Sequence, residues 1–297
     1  MKTKQKNSQD RFFYLVSYFI SVVLVLIVLY PIIYVLSSSV SDADAVAQGK
    51  VWLAPVNFTL DAYKRVLAYD KVWTGYGNTI IYTVSGTLIN LAITLMCAYP
   101  LARKNLRGRG IIMLIFSFTM MFGGGIIPNY ILIRELGMLN TRWSIIIPGA
   151  MSVYNMIVCR TFIETNIAEE MQEACQIDGC DDFQFFFKMV LPLSKAIIAV
   201  LALWYAVDHW NSYFNAFLYL KDSDKYPLQI ILREILIQSE GMKGSDDTLA
   251  EDMANSQNLY LTLKYAVIVV STLPLFCVYP FVQKYFQEGV MVGSVKG

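Results

Sequence analysis

The chain is poor in charge and in histidine, and its five cysteines show no metal-ligand spacing. Charged residues make up 16% of its 297 residues, 24 Lys and Arg against 23 Asp and Glu. That is too small a charged share for an ordinary soluble domain. The balance is near neutral at +1 and no basic tract exceeds a few residues, so nothing points to nucleic acid. His209 is the sole histidine, which excludes a His-rich metal site. Cys97, Cys159, Cys175, Cys180 and Cys277 show no metal-ligand spacing, and none falls in a long outward loop of the topology below. Plain apolar packing is expected of them rather than disulfides. There is no G-x-x-x-x-G-K-[ST] run and no Ser/His/Asp constellation. No catalytic residue, bound cofactor or metal is expected, and the chain is not expected to be an enzyme by itself.

What the chain has is grease. Hydrophobic residues make up 56% and mean hydropathy is +0.47. A hydrocarbon core of roughly 30 Å needs about 20 apolar residues of helix. Six segments qualify or nearly so: about 12–36, 78–101, 110–133, 143–162, 193–219 and 259–283. The first is too long for a signal-peptide core and no small-residue cleavage site follows it, so an uncleaved anchor helix is expected. Lys2, Lys4, Lys6 and Arg11 precede the first span, and Arg103, Lys104, Arg107 and Arg109 follow the second. Positive loops stay in the cytoplasm. The pattern predicts an all-α, polytopic membrane protein of six transmembrane helices with both termini cytoplasmic, 1–11 and 284–297. Loops 37–77, 128–142 and 221–258 then face outward. Gly123, Gly124 and Gly125 before Pro128, and Pro31, Pro100, Pro148, Pro274 and Pro280, are expected to weaken or end helices. Irregular backbone at membrane depth survives only against protein or a wet cavity, which tilts the reading toward transport.

Between the fourth and fifth spans lies a polar stretch, 165–192, containing QEACQIDGCDDFQFFFKMVLP. Ile167, Met171, Ala174 and Cys175 form one helical stripe, and Phe183, Phe186, Phe187, Val190 and Leu191 a second. Gly179 sits between them, where a turn needs positive φ. Asp181 or Asp182 is placed to cap the second helix, and Pro192 marks the step into the fifth span. The other face carries Glu169, Glu170, Glu173, Asp178, Asp181 and Asp182. Helices lying on a bilayer favour Lys and Arg, so a protein partner with a groove is the better reading.

The stretch resembles the EAA loop of permease subunits of ABC importers: EAA, three residues, G, nine residues, I-x-LP. Glu173, Ala174, Gly179, Leu191 and Pro192 match in register, while Cys175 stands for the second alanine and Met189 for the isoleucine. The likeness extends along APVNFTLDAYKRVL, FGGGIIPNYILIRELGMLNT, HWNSYFNAFLYL and the terminal GVMVGSVKG. These resemble carbohydrate-uptake permeases, in particular the second permease of maltose-type systems and its branch for complex oligosaccharides. The resemblance implies a type I ABC importer permease fold in a bacterial plasma membrane. It implies as partners a sister permease, a cytoplasmic ATPase dimer that uses ATP and Mg2+, an extracytoplasmic solute-binding protein and membrane lipid. It also implies that Glu173, Ala174, Cys175, Gly179, Met189, Leu191 and Pro192 couple the ATPase to the membrane helices.

Two further expectations come from the residues. Asp208, Asn211 and Asn215 recur at three- and four-residue spacing, so one helix face would carry a carboxylate and two amides into the membrane, with Trp204 and Trp210 nearby. That suits a sugar path, although inter-subunit packing and an interfacial aromatic belt explain the same residues. In loop 221–258, Leu228, Ile231, Leu232, Ile235 and Leu236 predict a short amphipathic helix on the outer membrane face or a sister subunit. Residues 239–256 then form a polar tip suited to the binding protein. A secondary transporter or channel working without an ATPase, and a scaffold protein, are the competing classes. Co-purification of an ATPase and a sister permease separates them from an importer.

Overall fold

A computed structural model describes residues 8–241, 262–280 and 283. Among the described residues every regular element is helical. The chain begins with α1 (Ser8–Ser39), α2 (Ala43–Ala47), α3 (Asp61–Leu67) and α4 (Asp70–Ala102). It continues with α5 (Arg109–Met121), α6 (Ile126–Glu135), α7 (Trp143–Ile146) and α8 (Val153–Asn166). Then come α9 (Glu169–Ile177), α10 (Asp182–Phe185), a π-helical turn Phe186–Val190 and α11 (Leu191–Leu193). Last are α12 (Lys195–Trp210), α13 (Phe214–Tyr219), α14 (Leu228–Gly241) and α15 (Thr262–Pro280).

Among the described residues three helices are long and apolar enough to cross a membrane: α1, α4 and α15. The α1 segment from Phe12 to Leu36 is almost wholly exposed despite its apolar side chains, as a lipid-facing helix is. It runs through Pro31 without ending, against expectation. One lost hydrogen bond does not terminate a helix whose every neighbouring residue gains by staying helical in an apolar medium.

The other predicted spans are broken. The interval 110–133 is two helices, α5 and α6, bent by 112° at Gly123–Gly125; Gly125 has a φ of +85° that only glycine takes freely. The interval 143–162 holds α7, an irregular stretch 147–152 around Pro148 and Gly149, and α8. The 14 residues of α8 reach about 21 Å, short of a roughly 30 Å core. The interval 193–219 holds α12 and α13, separated at Asn211–Tyr213.

The chain divides into two compact units, Met1–Asp70 with Leu232–Leu273, and Lys71–Ile231 with Pro274–Gly297. In the first, Tyr34 packs edge-on to Tyr265, and Ala45, Val46 and Val51 form a small core that Tyr265 covers. In the second, the main core joins the C-terminal half of α4 to α8, the 167–190 region and α12. The start of α14 belongs here too. Leu228 and Ile231 are buried, the Leu228 N–H donates to Thr79 Oγ1 at 2.8 Å, and Ile231 Cδ1 lies where a Cβ on Gly75 would be 2.6 Å away. The amphipathic helix is present, and its first turn packs on α4 of the same chain. Residues 242–261, and with them most of the predicted tip 239–256, lie outside the described residues, as does the tail 284–297.

Candidate functional site

The stretch that follows α8 folds as helix, turn and helix. At the end of α9 the Gly179 N–H donates to the Gln176 carbonyl at 3.0 Å and the Cys180 N–H to the Cys175 carbonyl at 2.9 Å. Gly179 has φ +83°. This is a Schellman end, with glycine at the position that must be left-handed. Asp181 is the cap of α10, its Oδ1 accepting the Gln184 N–H at 2.6 Å. Across the turn Gln172 Nε2 donates to Asp182 Oδ1 at 2.9 Å, so the two helices hold each other.

The second helix departs from the expected stripe. Phe185, Phe186 and Val190 are buried, while Phe183 and Phe187 are exposed. The inward set Phe185, Phe186, Met189 and Val190 still recurs at helical spacing, but on a different face from the one that carries Phe183 and Phe187. Pro192 follows the π turn. A proline inside a helical run clashes with the carbonyl four residues earlier, and a π turn relieves that clash. The run then bends by 78° between Leu193 and Lys195. Its hydrogen bonds persist through the bend: the Ser194 N–H donates to Val190 at 2.9 Å, and the Ile198 N–H donates to Ser194 at 2.9 Å.

The basic residues after α4, read above as a topology signal, also hold this helical pair. Arg103 lies over the rings of Tyr99 and Phe185, 4.9 Å from each centroid. Lys104 pairs with Glu169 at 3.0 Å. Arg109 and Arg160 share Glu164, and Arg160 Nε donates to the Leu101 carbonyl at 2.9 Å. Part of the acidic face is therefore satisfied within the chain, which narrows the surface left for a partner. Glu173 and Ala174 stay exposed, Cys175 is half-buried, and Met189 and Leu191 pack inward on the core. Pro192 is exposed. Between the helices and the end of α4 opens a groove of about 560 Å³ with Tyr99, Arg103, Leu106, Phe183 and Phe187 in its wall.

Cys175 has a chemical signature. Its hydrogen bond with Cys180, then burial, push the thiol up to about 11. An ordinary thiol titrates near 8.5 and reacts only as thiolate. Iodoacetamide is expected to modify Cys175 slowly at pH 8 in the folded protein and progressively faster toward pH 11. A rate at pH 8 equal to that of the unfolded chain, read by peptide mass, is the contrary result.

Deeper in the same unit, side chains repair the broken 147–152 backbone. Asn90 Nδ2 donates to the Gly149 carbonyl at 2.6 Å, and its Oδ1 lies 3.0 Å from His209 Nε2. Tyr205 OH accepts the Ser152 N–H at 3.2 Å and lies 2.7 Å from Thr94 Oγ1. Asn90, Thr94 and His209 are buried. None of these was singled out as a site residue in the sequence; polar residues on helical spacing within a span were the only available signal.

Beside this seam is a recess of about 380 Å³ lined by Ser152, Tyr154, Asn155, Trp204, Tyr205 and Asp208. The rings of Tyr154 and Trp204 lie 6.0 Å apart. Two of the five expected path residues, Asp208 and Trp204, thus meet in one hollow. The others do not join them. Trp210 is buried near Tyr76. Asn211 ends α12, its amide donating to Val207 at 2.8 Å. Asn215 stands beyond the break on α13, so helical spacing no longer puts it on the face of Asp208.

No family model matches the chain. Over 289 residues, 97% of this chain and 100% of the relative, it is 40% identical to the polygalacturonan/rhamnogalacturonan transport system permease protein YtcP of Bacillus subtilis. It is also 40% identical to protein LplC of Bacillus subtilis, over 91% of this chain and 90% of that one. The arabinooligosaccharides transport system permease protein AraQ of Halalkalibacterium halodurans is 25% identical over 91% and 92% of the two chains. In the crystal structure of a bacterial ABC transporter involved in the import of the acidic polysaccharide alginate, one chain matches with a TM-score of 0.83 and 37% identity, over 96% of this chain and 100% of that one. With apolar spans and a capped helix–turn–helix on a bent span, alike over nearly its whole length to such proteins, this integral membrane chain belongs to the family of permease subunits of carbohydrate ABC importers.

Proposed function

We propose that the chain forms, with a sister permease, the path of an oligosaccharide across a bacterial plasma membrane, and that a cytoplasmic ATPase drives it through the turn at Gly179. In this reading the broken helical intervals complete six spans with both termini in the cytoplasm. ATP and Mg2+ act on the ATPase, and this chain carries no catalytic group. An extracytoplasmic binding protein delivers the cargo, with residues 239–256 as the segment suited to meet it.

The Schellman turn carries the reading. It presents Glu173 and Ala174 on α9 and the apolar side chains of Ile177, Phe183 and Phe187 to the outside; Ile177 is 87% exposed. Exposed apolar residues clustered on a rigid turn suit insertion into a cleft. The hydrogen bonds that continue through Ser194 make the bend a lever: a displacement of α9 and α10 is passed to α12, and α12 bears Trp204, Tyr205 and Asp208 at the recess. Aromatic rings and a carboxylate suit the faces and hydroxyls of a sugar.

Two measurements test this. Purification of the tagged chain should bring down an ATPase and a second permease; a chain that transports sugar alone in liposomes, without ATP, overturns the importer reading. For the path, Asp208→Ala should raise the KM for uptake about tenfold, the equivalent of one charge-assisted hydrogen bond of about 1.5 kcal/mol. An unchanged KM assigns the recess to packing.

A further inference from the structure

Cys175 and Cys180 stand at the two ends of the Schellman turn. In this motif the residues joined by the outer hydrogen bond bring their side chains into contact, and that bond here is Cys180 N–H to Cys175 carbonyl, 2.9 Å. The proximity of Cys180 also raises the affinity of the Cys175 thiol for its proton. Both are free and half-buried. The turn itself does not need them, since its geometry requires only glycine at Gly179 and backbone bonds.

We propose that Cys175 and Cys180 are a reversible dithiol–disulfide oxidation site for hydrogen peroxide or a like two-electron oxidant. Cys180 as thiolate attacks one peroxide oxygen; the O–O bond breaks, and the departing hydroxide takes a proton and leaves as water. The Cys180 sulfenic acid is then attacked by the Cys175 sulfur. The S–S bond forms, the S–O bond breaks, and the hydroxyl leaves with the Cys175 proton as a second water. Two thiols lose two electrons and one peroxide gains them; two equivalents of a small thiol reverse the step. The raised affinity of Cys175 for its proton fits it to the second role. In a reducing cytosol such a bond is transient, as sensing disulfides are.

The consequence for transport rests on the coupling role proposed above. A disulfide holds its sulfurs at about 2.05 Å, closer than any hydrogen-bonded pair. Cys175 packs with Met171 against the main core, and drawing it toward Cys180 shifts the last turn of α9, which carries Glu173 and Ala174. Oxidation should therefore depress coupled ATPase activity reversibly.

The test uses the intact transporter in liposomes, treated with hydrogen peroxide, blocked with N-ethylmaleimide and digested with trypsin. No Lys or Arg lies between Arg160 and Lys188, so one peptide, 161–188, holds both thiols. The expected product has lost about 2 Da and takes no maleimide, and binding-protein-stimulated ATPase activity falls at least twofold. Dithiothreitol should restore both. Cys180→Ser should keep the reduced activity and lose the sensitivity. A peptide carrying two maleimides after peroxide overturns the site. A peptide that is oxidised while ATPase activity is unchanged overturns its effect on coupling. Failure of the coupling role itself shows independently, as normal uptake and ATPase association in an Ala174→Asp transporter, which keeps the Cys180–Cys175 backbone bond and whose peptide still oxidises.

Discussion

Gly86→Val is expected to remove most of the folded transporter subunit. Gly86 faces the His209 ring across α4 and α12. A Cβ there would stand 2.3 Å from Nε2, 2.5 Å from Cε1 and 2.7 Å from Cδ2. Such distances demand movement, and the ring is not a free end: it is buried and its Nε2 meets Asn90 at 3.0 Å. Displacing it frees Asn90, and Asn90 is what satisfies the Gly149 carbonyl. Overpacking costs about 1–3 kcal/mol, and a buried polar group left unpaired about 1–3 kcal/mol more. Together these approach the whole stability of a marginal domain, about 5–15 kcal/mol. The yield of monodisperse protein should fall about tenfold or more, with a lower Tm in what survives. Gly77→Ala on the same helix, where nothing lies within 4 Å, should behave as the parent. Adding His209→Ala to Gly86→Ala should recover part of the loss, because the two changes share one space. If Gly86→Val purifies with the parent's yield and Tm, the seam contributes nothing to the fold.

That seam also marks how far the sequence could be read. α1, α4 and α15 were visible because a membrane span is a matter of length and apolar content, and both are additive along the chain. The turn at Gly179 was visible for a different reason: a left-handed position demands glycine and a helix start demands an acceptor, so Gly179 and Asp181 state their conformations locally. Where local rules compete, the reading failed. Four phenylalanines fall within 183–187, and apolar character does not say which of them face the core; Phe185 and Phe186 do, while Phe183 and Phe187 do not. Asn215 was put on the face of Asp208 because the break at Asn211–Tyr213 interrupts the count. The break within 143–162 is not legible because hydropathy does not record which backbone groups find partners; Asn90, which donates to the Gly149 carbonyl, and Tyr205, whose hydroxyl accepts the Ser152 N–H, are distant in sequence. Likewise Arg103, Lys104 and Arg109 were read for topology alone. Their contacts with Phe185, Glu169 and Glu164 join residues far apart in the chain, and no spacing rule reports such pairs.

Gly179→Val should leave a folded, membrane-inserted subunit that transports at less than about a tenth of the parent rate. The position has φ +83° and open space around it, so valine meets no neighbour. Its cost is conformational, about 1–3 kcal/mol for a residue forced into the left-handed region, and β-branching puts it at the upper end. The chain avoids that cost by giving up the turn. The bonds from Gly179 to Gln176 and from Cys180 to Cys175 are then lost, and the Gln172–Asp182 bond that holds α9 to α10 goes with them. Most of the main core is held by α4, α8 and α12; α9 and α10 add Met171, Cys175 and Phe185 to it, and these contacts do not depend on the left-handed turn. Insertion and yield should therefore stay near the parent's while co-purification of the ATPase and ATP-driven uptake fall together. Asparagine tolerates the left-handed region, so Gly179→Asn should keep about half or more of the uptake, which steric bulk alone would not allow. Ala174→Asp tests the docking face without the turn. Ala174 is exposed beside Glu173, and a further carboxylate there should weaken ATPase association while Cys180 still bonds to Cys175. Two results count against the coupling role. One is normal uptake with normal ATPase association in Gly179→Val. The other is a loss of uptake no larger than the loss of protein, which would make Gly179 a residue of the fold alone.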